Sequence, residues 1–126
     1  MDRKFAITGF IYAVLGILLG IVMAATHNHS QLVTHAHIML LGFVVTFIYA
    51  LCHKLWLTNG HGILARVQFY LHQVGVLAML SGLFLLYGKF ASGEQLEPLL
   101  SGGSLLVLVA LIAMVYLFIR SDATRA

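Results

Sequence analysis

Residues 32–57, LVTHAHIMLLGFVVTFIYALCHKLWL, read as one membrane-crossing helix with two imidazoles inside it, His35 and His37. A hydrocarbon core is spanned by about 20 helical residues, and this run is long and apolar enough to do it. A polar ring in that environment is costly and points to a function. A helix advances about 100° per residue, so positions i and i+2 face nearly opposite ways. One metal ion does not easily take both rings, whereas two different haems or neighbours can each take one.

Three further runs have the same character: Phe5–Ala25, Ile63–Tyr87 and Leu96–Ile119. Their connectors are short, at His27–Gln31, Thr58–Gly62 and Gly88–Gln95. Of the 126 residues, 61% are hydrophobic and only 9% charged, which excludes the surface chemistry of a soluble domain. The expectation is an all-α integral membrane protein, one four-span domain over residues 1–126. A sequence pI near 9.3 would suggest nucleic acid in a soluble protein. Here the basic residues sit at helix ends, so orientation in the bilayer explains them and no nucleic acid is expected. Arg3, Lys4, Lys54, Arg66, Arg120 and Arg125 fall on one side and Lys89 alone on the other. That asymmetry puts both termini in the cytoplasm and His35 and His37 near the outer end of their helix, in a plasma or inner membrane.

The first run is about twice the length of a usual signal-peptide core, and Ala24-Ala25-Thr26 is a weak cleavage site, so it reads as a retained helix. Gly16 and Gly20 form a small-xxx-small pair suited to close helix approach. Gly75 with Ser81 and Gly82, and Gly102–Gly103, offer the same in the third and fourth spans. The lone Cys52 forms no intramolecular disulfide, and no Cys-x-x-Cys-His is present for covalent haem attachment. It reads as a small core residue.

The seven histidines are not equivalent. His27 and His29 lie in the outer connector and read as solvated, with copper or a haem edge as the sharper alternative. His53 and His61 read as interfacial or turn residues. His72 is about three turns into its helix, as a ligand, a proton-path group or a core histidine bonded to a backbone carbonyl. His35 and His37 differ by lying together in one apolar helix, where neutral imidazole is a good axial ligand for haem iron. Thr34 is a candidate acceptor to fix the His35 tautomer. His37 lies roughly 6–8 Å below the outer helix end and His72 roughly 13 Å above the inner end. The two are therefore a poor intrachain pair for one haem.

Thr34–Trp56, with His35-Ala36-His37 and Leu41-Gly42-Phe43, and then Leu64-Ala65-Arg66-Val67-Gln68-Phe69-Tyr70-Leu71, together resemble subunit I of the haem-copper oxidases. The likeness is to the branch of nitric oxide reductases and high-affinity cytochrome c oxidases. It covers two of the four spans. The resemblance implies that each histidine of the pair ligates a haem. The first matches a ligand carried on an early helix, the second the low-spin ligand on a late one. That subunit has twelve helices in three arcs of four, and this chain is one arc long. A copper cluster and the cross-linked tyrosine of that family have no counterpart here; Tyr49 and Tyr70 read as packing or interface residues.

The expected function is a membrane cytochrome binding haem b through His35 and His37, transferring electrons to or from a quinol or an outer-face redox protein. Lys89 is placed to pair with haem propionates. Since neither ring has a good intrachain partner, a homotrimer in which His35 of one copy and His37 of the next share a haem would satisfy every ligand. Two alternatives stay open. One is a copper- or haem-handling assembly factor using His27, His29, His35 and His37. The other is an oxidoreductase with five-coordinate haem that binds or reduces a small gas.

Overall fold

The computed structural model describes residues 1–57 and 62–125, with the backbone alone for 122–125. His61, expected in a turn, lies outside the described residues, as does most of the second connector. Four helices account for nearly all of the rest: α1 (Asp2–Thr26), α2 (Leu32–Leu55), α3 (Ile63–Tyr87) and α4 (Gly93–Arg125). Each contains a stretch long and apolar enough to cross a membrane. No strand occurs among the described residues. Helix ends differ from expectation by a few residues, and at α4 the cause is visible. Ser92 Oγ accepts the Gln95 N–H and Gln95 Oε1 accepts the Ser92 N–H, both at 3.1 Å. That reciprocal cap starts the helix at Gly93 rather than Leu96.

The second helix is not uniform. It is α-helical over Leu32–His37, winds in i→i+5 π turns over Ile38–Val45, and returns to α geometry at Thr46–Leu55. π turns are rare and concentrate at functional sites. Here they begin immediately after His37.

Glycines set how closely the helices approach. On α1, Gly9, Gly16 and Gly20 face α2; a Cβ at Gly9 would sit 3.4 Å from the Phe47 amide nitrogen, and one at Gly16 would run into Met39 Sδ. Gly42 on α2 receives the Tyr12 ring in return. The α3–α4 crossing is tighter, since a Cβ on Gly75 or Gly103 would lie 3.0 Å from the other's carbonyl oxygen. Gln73 ties α3 to α1: its Oε1 accepts from Tyr12 and its Nε2 donates to Thr8, both at 3.0 Å. Polar bridges of this kind are typical glue between membrane helices.

The core lies around Phe5, which meets Tyr49 and Phe69 edge-on and stacks on His53, with Met114 and Leu117 closing it from α4. Outside, Ile7, Phe10, Val14, Leu18 and Ile21 are each more than half exposed. Such a surface suits hydrocarbon, not water. At one end of the bundle Gln31 Nε2 donates to the Phe84 carbonyl at 2.9 Å. At the other, Ser121 Oγ donates to the Trp56 carbonyl at 3.1 Å, and Met1, Leu64 and Phe118 each pack against the Phe5 core. The first is the loop end; the second carries both ends of the chain.

Candidate functional site

His35 is half-buried in the seam between α1 and α2. Gly20 leaves room for it, because a Cβ there would come within 3.1 Å of His35 Cε1. Its Nδ1 lies 2.9 Å from the carbonyl oxygen of Gly16. A carbonyl can only accept, so Nδ1 carries the hydrogen and Nε2 keeps its lone pair. His37, also half-buried, reaches the same state by another route. Its Nδ1 is 2.9 Å from the Val33 carbonyl, one turn back on its own helix. Both imidazoles are thus held in the tautomer that presents Nε2 as a donor atom. This is how ligating histidines are oriented, through the ring nitrogen that does not touch the metal.

Thr34 does not play the part expected of it. It is 1% exposed, and its hydroxyl donates to Gln31 Oε1 at 2.7 Å. A neighbour at i−1 leaves a helix about 100° away and does not meet the ring. The acceptor comes from the facing helix, where the missing side chain of Gly16 lets an imidazole approach the backbone. Gly16 was legible as a packing residue, and nothing in the sequence marks its carbonyl as a partner.

The remaining candidates are dispersed. His27 and His29 are exposed in the loop after α1, and His27 adopts a left-handed φ of 54° as its C-cap. Among the described residues no group of three or more His, Cys, Asp or Glu side chains gathers as a metal site. The four outer histidines therefore do not form a cluster within one chain. Lys89 is exposed, with φ 61°, and lines a loop-end cavity of about 490 Å³ beside Thr26, Asn28 and Gln31.

His72 is completely buried. Its Nε2 lies 2.8 Å from Thr46 Oγ1, which is itself 3.3 Å from the Leu41 carbonyl, inside the π segment. Its partner is a hydroxyl, not the backbone carbonyl considered for a core histidine. Tyr49 meets the ring edge-on at 4.9 Å. His53, in the last turn of its helix, is 6% exposed and stacked on Phe5 at 5.3 Å. Tyr49 packs in the core, Tyr70 is exposed, and Cys52 is a buried free thiol.

No protein-family model matches the chain, and neither a curated protein nor a solved structure matches it. The chemistry is therefore argued from the site itself. Two half-buried imidazoles, each with Nδ1 engaged on a backbone carbonyl, leave Nε2 as the atom that could ligate a metal.

Proposed function

We propose that this chain is a b-type membrane cytochrome that passes electrons through haem held by His35 and His37. The observation that carries the reading is the shared tautomer: both Nδ1 atoms lie 2.9 Å from a backbone carbonyl. When bound, haem supplies one-electron exchange at its iron. The carbonyls of Gly16 and Val33 orient the imidazoles and increase their basicity as ligands. Gly20 gives the His35 ring its place. Haem held by His35 of one copy and His37 of the next would supply electron transfer rather than gas chemistry. A quinol or a redox protein at the loop end is the proposed exchange partner, and Lys89 offers an ammonium to haem propionates there.

Since residues i and i+2 leave a helix on nearly opposite faces, each haem is shared between copies, His35 of one and His37 of the next. A ring of three closes the set of ligands, and closure avoids an open filament. The chain ends face the cytoplasm of a plasma or inner membrane, which accounts for the six basic residues on that side against Lys89 alone. The test is haem content and native mass in mild detergent. His35→Ala and His37→Ala should each lose haem, whereas His72→Ala should keep it; the wild type should run as three chains with up to three haems. Full haem in both variants would end this reading, and a monomer retaining one haem would end the sharing. Copper bound without haem would instead mark the copper-handling alternative.

A further inference from the structure

The seam between α3 and α4 carries two arginines at the end of the bundle where the chain begins and finishes. Arg120 lines a cavity of about 480 Å³ with Leu64 and Leu117. Arg66 lines a groove of about 390 Å³ with Tyr70, Val74 and Leu106. Ile63 and Val67 line both, so the two spaces adjoin at these residues. Taken together they make a track with one arginine in each part and a mostly apolar lining elsewhere. Ile63 is 76% exposed and Val74 54%, so the walls stand open. Among the described side chains the one ion pair joins the Met1 amino group to Asp2, on α1. No described carboxylate neutralises Arg66 or Arg120.

We propose that this track binds one anionic glycerophospholipid, its phosphate on Arg66 and Arg120 and one acyl chain along Val67, Val74 and Leu106. Guanidinium groups match phosphate oxygens with paired, charge-assisted hydrogen bonds. A zwitterionic lipid brings its own cation to a place that already holds two. Free phosphate meets only two water-exposed, salt-screened charges and gains nothing from the groove. An acyl chain and a phosphate in one molecule use the whole track, and basic pockets between membrane helices take lipid headgroups in this way. The site is separate from the histidine pair and does not depend on what that pair binds.

Dioleoyl phosphatidylglycerol and dioleoyl phosphatidylcholine, offered in turn to the full chain in mild detergent, provide the test by native mass spectrometry. The wild type should retain the anionic lipid roughly tenfold more than the zwitterionic one. The Arg66→Gln, Arg120→Gln double variant should lose the preference; both side chains are exposed, so its fold should hold. Should that variant fail to purify, Val74→Trp decides the matter by filling the groove and evicting lipid with both arginines in place. Equal retention of the two lipids by the wild type, or a preference that survives loss of both arginines, would overturn the proposal. Displacement by inorganic phosphate or acyl-free glycerophosphoglycerol as effective as by the lipid would overturn it too. So would cross-linking of Val74→Cys between copies, since the seam would then be a protein interface.

Discussion

At the scale of single residues, His72 is wholly buried with one of its two ring nitrogens bonded: Nε2 meets Thr46 Oγ1, while Nδ1 has no hydrogen-bond partner among the described residues. Removing a buried partner costs about 1–3 kcal/mol, because the desolvated group is left unpaired. Thr46→Val should therefore lower thermal stability by roughly that amount, and Thr46→Ser should restore most of it. Equal melting of the threonine and valine proteins would show that the bond contributes nothing. The histidine pair makes a different demand. A Cβ at Gly20 would stand 3.1 Å from His35 Cε1, so Gly20→Val should displace the ring from the Gly16 carbonyl and reduce haem binding while His37 is untouched. Unchanged haem content in a folded Gly20→Val protein would mean that the seam does not position His35.

At the scale of elements, two adjacent glycines should answer oppositely. A Cβ on Gly103 would meet the Gly75 carbonyl and the Met79 amide nitrogen at 3.0 Å, backbone atoms that cannot swing aside. Gly103→Ala should cost about 1–3 kcal/mol, the range for forced overpacking. Gly102 has nothing within 4 Å, so Gly102→Ala should be neutral or gain up to about 1 kcal/mol of helix propensity. Thermal melts of the two alanine proteins check this, and a matching loss in both would be against the crossing geometry. The spans themselves were readable, because apolar runs of that length have few alternatives. The π segment was not, since Ile38–Val45 is uniformly apolar and carries no polar periodicity to reveal a change of winding. The cap at Ser92 and Gln95 has a spacing that the sequence does display. The burial of His53 was not legible, because Phe5, which stacks on it, comes from another helix and is remote in sequence.

At the scale of the whole molecule, four apolar helices place both chain ends on one side, and the basic residues gather there. An impermeant thiol reagent applied from outside should label a cysteine placed at His29 and spare one placed at Lys54; the reverse pattern would invert the orientation. The histidine pair was visible from spacing and setting, whereas its tautomers came from carbonyls that sequence does not display. Those tautomers are the foundation of the proposed haem ligation, and one measurement reaches it most directly. That measurement is the absorption spectrum of protein purified from haem-replete membranes in mild detergent, oxidised and then reduced. Ligation by His35 and His37 requires a Soret band and, on reduction, the sharp visible bands of low-spin six-coordinate haem, unmoved by carbon monoxide and lost in His35→Ala and His37→Ala. A folded wild-type protein with no Soret absorbance would contradict it.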